Sequence, residues 1–173
     1  GYNRFKIEGL KNFNKFALSY NTAFEQISAN KLIKESDIDK ITKYSLNTLL
    51  EWKLNQNHNI KFRDILYQHY EDGLTQLINT ETNIKRNNFS INHNYNIGNN
   101  WTLNQILQQQ KYSRNYVEKW NSGYNTGEIQ TDDLANENYY GYEIIINKKY
   151  NNKIINIGVE TSYESYKSNR IGI

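Results

Sequence analysis

Two glutamates and one histidine are the side chains that could most readily do chemistry. Glu143 and Glu160 sit inside the stretch YYGYEIIINKKYNNKIINIGVETSY, residues 139–163. Its two halves are rich in Ile, Val and Tyr, which suit a pleated, half-buried surface. The polar connector Lys149-Tyr150-Asn151-Asn152 predicts an antiparallel hairpin. Pairing Lys148 with Lys153 sets Ile146 opposite Ile155, Ile144 opposite Ile157 and Tyr142 opposite Val159, all on one face. The other face then carries Glu143 opposite Gly158 and Gly141 opposite Glu160, so the glutamates are diagonal neighbours roughly 7–8 Å apart. Such a pair can hold a metal or divide acid and base roles. His93 is a candidate general base if the fold brings it alongside. The chemistry implied is that of a small nuclease, with Glu143, Glu160 and His93 as its catalytic set. The bland alternative is a wet sheet face with two unrelated glutamates.

A second set is basic. Lys111, Arg114, Asn115 and Lys119 lie within 102–120, and Lys148, Lys149 and Lys153 lie at the hairpin tip. Residues 102–109 and 113–120 can be read as a helix–turn–helix that offers Arg114, Asn115 and Lys119 to base edges. If the tip lysines share that surface, the chain is a nucleic-acid-binding module. The competing reading of 102–120 is one helix covering the sheet. Thr102 with Gln105 resembles a capping box.

The elements that must position these residues follow from periodicity. Residues 2–10 predict a short edge strand with Phe5 and Ile7 on one side. Residues 12–29 place Phe13, Phe16, Ala17, Tyr20, Phe24 and Ile27 at helical spacing. Ser36-Asp37-Ile38-Asp39 reads as a helix start, and the helix runs to about Leu54. Residues 60–80 give the longest stripe, with Phe62, Ile65, Leu66, Tyr70, Leu74, Leu77 and Ile78. Residues 79–88 read as a connector, 89–97 alternate as a strand, and Gly98-Asn99-Asn100 turns the chain. Residues 121–138 read as a long loop. The expectation is one α+β domain over 1–173: N-terminal helices, then a small antiparallel sheet with one further helix packed on it.

Arg63-Asp64-Ile65-Leu66-Tyr67-Gln68-His69 resembles the motif of the HEPN family of RNases, an Arg and a His separated by four to six residues. That resemblance implies a helical fold in which Arg63 and His69 meet at a dimer interface and cleave RNA. The strands expected after residue 88 do not belong to such a fold.

Composition bounds the rest. The chain has 173 residues, no Cys, no Pro and no Met, and a formal net charge of +3. Without Cys there is neither a disulfide framework nor a thiolate metal site. His58, His69 and His93 are too scattered for a zinc set, so no metal or cofactor is assigned. The charge permits a polyanionic partner without demanding one. Asn supplies 29 of the 173 residues, which makes the two glycosylation-like matches at Asn88 and Asn100 expected by chance. No apolar run is long enough for a membrane helix.

The same chain can be read as an outer-membrane β-barrel. Short connectors at 98–100 and 149–152, a long one at 121–138 and abundant tyrosine for interfacial girdles all suit it. Tyr44, Leu46, Thr48, Leu50, Trp52 and Leu54 alternate as strand residues do. The stripe at 60–80 argues for a helix instead. Function thus divides three ways: a macromolecule-binding module, a small nuclease, or a structural or protein-interaction component, the last including the barrel. A protein or nucleic-acid partner fits the first two, and a membrane fits the barrel.

Overall fold

The computed structural model describes residues 1–28, 38–74, 77–121, 123, 125–151 and 153–172. Every regular element among them is a strand: β1 (Tyr2–Asn12), β2 (Phe16–Ser28), β3 (Ile38–Lys53), β4 (His58–Leu74), β5 (Ile78–Gly98), β6 (Trp101–Trp120), β7 (Ile129–Tyr150) and β8 (Lys153–Gly172). They form one sheet in sequence order, each antiparallel to the next.

This overturns the α+β expectation. The predicted helices at 12–29, 38–54, 60–80 and 102–120 fall on β2, β3, β4 with the start of β5, and β6. The connector at 79–88 and the second half of the loop at 121–138 are also strand, in β5 and β7. The proposed helix start at 36–39 lies partly outside the described residues. With 102–120 extended, the helix–turn–helix is gone. With 58–74 extended, Arg63 and His69 belong to no helical RNase motif.

The reason is arithmetic. Phe16, Tyr20 and Phe24 are spaced by four, as are Phe62, Leu66, Tyr70 and Leu74, and Leu103 and Leu107. Four residues is about one helical turn, and it is also two strand periods. Both structures put such residues on one face. Nothing else in the chain tips the balance locally, and pairing with six other long strands decides it.

Turn chemistry agrees with the sheet. Asn99 and Asn100 both have positive φ, 50° and 64°, and connect Gly98 to Trp101 as a two-residue hairpin turn. This is the geometry that matches the right-handed twist of the flanking strands, and Asn tolerates it well. Asn151, at φ 50°, sits in the equivalent β7–β8 connection. At the β3–β4 end the Asn55 Oδ1 accepts hydrogen bonds from the Asn57 and His58 amides at 2.8 and 3.0 Å, an Asx-type turn.

The hairpin register is two residues from the predicted one. Tyr150 pairs with Lys153, so Ile146 faces Ile157, Ile144 faces Val159, and Glu143 faces Glu160 directly. A shift of two preserves faces, so Tyr142, Ile144, Ile146, Ile155, Ile157 and Val159 remain together.

The sheet is a single layer. Ala135 is the one buried hydrophobic side chain among the described residues. The accessible area is 12640 Å², against about 8,900 Å² for a compact monomer of this mass. Among the described residues no second layer covers either face, and both edges, β1 and β8, are open.

Candidate functional site

Strand pairing carries each face across the whole sheet. One pairing row runs Phe16–Trp52–Ile60–His93–Gln105–Ile144–Val159, and the next Leu18–Leu50–Phe62–Ile91–Leu107–Tyr142–Thr161. These rows define an apolar face. On it, apolar side chains cluster toward the end that carries the shortest turns. The cluster spans Phe16–Phe24 on β2, Tyr44–Trp52 on β3, His58–Leu66 on β4, Phe89–Tyr95 on β5, Trp101–Leu107 on β6, Tyr140–Tyr150 on β7 and Ile155–Tyr163 on β8. That is seven to eleven residues per strand.

Rings bracket the aliphatic middle. Phe16 stacks on Trp52 at 5.4 Å between centroids, and His58 on Tyr95 at 4.2 Å, on the turn side. Phe24 and Tyr44 meet at 5.1 Å, and Tyr140 and Tyr163 at 6.5 Å, on the other. The band drifts toward the far end in passing from β8 to β2, so it runs obliquely to the pairing rows. Ile146, Leu107, Leu66, Leu46 and Val159 within it are all exposed.

The polar residues inside the band largely satisfy each other. His58 Nδ1 lies 3.0 Å from His93 Nε2, and His93 Nδ1 lies 3.0 Å from Gln105 Oε1. The Gln105 amide nitrogen donates to the Tyr142 hydroxyl at 3.4 Å. Protons on both Nδ1 atoms let every group in this chain donate or accept in one direction, from β4 to β7. Gln109 likewise donates to the Tyr140 hydroxyl at 3.3 Å. Asp64, between Thr48 and Phe89, is the one carboxylate in the band among the described residues.

The opposite face is polar and cross-linked. Lys43 pairs with Glu25 at 3.7 Å, Lys61 with Glu51 at 3.9 Å and Arg114 with Asp133 at 2.7 Å. Asn59 donates to Glu51 at 2.7 Å, and Gln108 to the Tyr139 hydroxyl at 3.1 Å. Along β4, Tyr67, His69 and Glu71 form a chain of 3.2 and 3.1 Å contacts. Tyr116 donates to the Glu118 carboxylate, and its phenol is pushed up to about 12, first by burial and then by that bond.

The predicted catalytic set does not assemble. Glu143 and Glu160 lie on the polar face, directly opposite each other. His93 lies on the apolar face, committed to His58 and Gln105. Among the described residues no three His, Asp or Glu side chains are grouped to hold a metal. Nothing in the arrangement supports a nuclease.

The predicted nucleic-acid set also divides. Lys111 and Asn115 lie on the apolar face, and Arg114 lies on the polar one, bound to Asp133. Lys119 pairs with Glu81 at 2.9 Å. Lys148, Lys149 and Lys153 sit at the turn end, ten residues of strand from Lys111 and thus roughly 33 Å away. Lys148 lies 4.7 Å from the centre of the Trp101 ring and donates to the Asn99 carbonyl at 2.7 Å. The set is thus split between the two ends of the strands, with Arg114 on the opposite face, and nothing in the arrangement supports a nucleic-acid interface.

What sequence reading missed is the band itself. Its signal was available in the alternation Tyr44 through Trp52, but it becomes a surface only when the registers of seven strands are added together. No protein-family model matches the chain, and no curated protein matches it either.

Proposed function

We propose that this sheet is a wall of a transmembrane β-barrel of the outer-membrane type. Its apolar band faces lipid, and its polar face lines the interior. The observation that carries this reading is the band: seven to eleven residues per strand, bracketed by rings, continuous over seven strands and, among the described residues, covered by no other part of the protein. A tilted strand needs about 9–11 residues to cross a bilayer. Girdles of aromatic side chains at the two interfaces, around an outward apolar band, are the expected pattern.

Two further features support it. The connectors at the band's end are three, four, two and two residues long, at 13–15, 54–57, 99–100 and 151–152, whereas two of the three at the other end are nine and eight, at 29–37 and 121–128, the third being three, at 75–77. Short turns on one side and longer loops on the other are usual in such barrels. Strands β5 to β8, at 20 to 22 residues, are about twice the length needed to span. Their surplus, richer in polar residues than the band, projects beyond the bilayer on the loop side. The reading requires the edges of β1 and β8 to be paired in the membrane, since an open edge in hydrocarbon leaves backbone groups unsatisfied.

Tryptophan quenching tests it. Trp52 and Trp101 lie on the band near the turn end, whereas Trp120 lies at the loop end. In single-tryptophan variants refolded into vesicles, acyl-brominated lipid should quench Trp52 and Trp101 and leave Trp120 bright. Equal emission from all three, or a folded monomer in buffer without detergent, rejects the barrel.

A further inference from the structure

Just beyond the band, on the same apolar face, an open groove of about 790 Å³ crosses the sheet. Its band-side wall includes Tyr44, Leu46 and Leu66, and its other wall carries Lys85, Lys111 and Lys167. We infer that this groove binds the phosphate-bearing headgroup of an anionic membrane lipid, whose acyl chains lie along the band. The inference rests on the barrel reading above and specifies a ligand for its outer surface.

Three observations carry it. The first is charge. The groove lining holds three lysines and no carboxylate. All three lysines are exposed, and among the described residues none forms an ion pair, unlike Lys43, Lys61 and Lys119. The second is spacing. Lys85 is opposite Ser113 and Lys111 opposite Asn87, so these two are diagonal neighbours roughly 7–8 Å apart. Lys167 pairs with Asn136, itself opposite Ser113, and so lies two strands beyond β6, roughly 10 Å across the sheet. One headgroup can reach all three. The third is position. The lysines begin where the rings Tyr44, Tyr140 and Phe89 end, which is where the bilayer's polar boundary falls if the band spans the hydrocarbon. Cations at that depth attract anionic headgroups, each contributing about 1 kcal/mol, or about fivefold in affinity. A nucleic acid or soluble polyanion would have no use for the adjoining apolar wall.

The test uses the whole chain in phosphatidylcholine vesicles with and without a minor fraction of phosphatidic acid. Retention of phosphatidic acid after detergent extraction is read by native mass spectrometry. The unaltered chain should retain it selectively. Lys85→Gln, Lys111→Gln and Lys167→Gln together should reduce retention on the order of a hundredfold. Lys148→Gln with Lys149→Gln, at the opposite end of the strands, should leave it unchanged. Retention indifferent to the triple substitution overturns the inference while the barrel stands, provided that Trp52 and Trp101 are still quenched. Competition by inorganic pyrophosphate as strong as by the lipid overturns it in favour of a free polyanion site. Failure of Trp52 and Trp101 to meet lipid at all overturns both readings.

Discussion

The two faces of the sheet are built from the same backbone and differ in the solvent each suits. On the polar face, charges are matched across neighbouring strands, as in Lys43–Glu25, Lys61–Glu51 and Arg114–Asp133. On the apolar face, the band holds a single carboxylate, and its amides and imidazoles bond to one another from strand to strand. A soluble antiparallel sheet shows one apolar and one polar face too, but it buries the apolar one against a second layer. Among the described residues no second layer is present, and large apolar side chains such as Leu46, Leu66, Leu107, Ile146 and Val159 stay exposed, as on surfaces that meet a partner or a membrane. Under the barrel proposal, lipid takes the place of that layer.

The largest effect expected comes from putting the same charge on adjacent residues. Ile91 is mid-band and Asn92 points to the other face. Ile91→Lys should cost about 2–4 kcal/mol in urea unfolding from lipid vesicles, the range for a lysine at the midplane. Asn92→Lys, directly opposite Lys61 on the polar face, should cost no more than about 1 kcal/mol, the scale of a like-charge cross-strand pair. Equal costs would erase the distinction between the faces.

Next comes crowding on the polar side. Ala135 is 3% exposed, between Arg114 and Ser168 on the neighbouring strands. Ala135→Leu must push into those neighbours and should cost about 1–3 kcal/mol. A neutral result would show that the polar face near the loop end is open rather than closely lined.

A smaller effect of opposite sign is expected at Asp64. It is the exception in the band, flanked by Thr48 and Phe89. Acids cost less than lysine or arginine on a lipid-facing surface, but they still cost. Asp64→Leu should raise stability in vesicles by on the order of 1 kcal/mol. In a sheet whose band faced water, the same change would enlarge the apolar surface with no gain.

How much of this was legible in the chain depends on how far a pattern reaches. The β7–β8 hairpin was, because Ile144, Ile146, Ile155 and Ile157 alternate on either side of an Asn-rich turn. The predicted connector was two residues too long, and an even error leaves every side chain on its face. The strands β2, β4 and β6 were read as helices because their largest apolar residues recur every four positions, while the positions between are Thr22, Asp64, Gln68 and Gln105. Tyrosine, threonine and glutamine are compatible with a lipid-facing strand but blur its alternation. The proposed grouping of Glu143, Glu160 and His93 failed for another reason. Whether β5 and β7 place their odd-numbered residues on the same face depends on the register of β6 between them, and no local pattern states that register.

The finest discrimination between the faces lies in two tyrosines. Tyr70, beyond the band on the apolar face, and Tyr116, on the polar face, are both pushed up to about 12. Each has a carboxylate two residues further along its own strand, Asp72 or Glu118. The leading causes differ. For Tyr70 it is the hydrogen bond to Asp72, and for Tyr116 it is burial. A phenol whose pKa is raised by folding favours the folded state below its ordinary value near 10, and that contribution is lost as pH climbs from there toward 12. Removing the carboxylates separates the causes. Asp72→Asn should return Tyr70 most of the way to the ordinary range, whereas Glu118→Gln should leave Tyr116 well above it. Ultraviolet titration of tyrosinate, with Tyr70→Phe and Tyr116→Phe to assign each step, distinguishes them. If Tyr116 drops as far as Tyr70, the polar face is no more sheltered from water than the surface beyond the band, and the proposal that it lines an interior loses its electrostatic support.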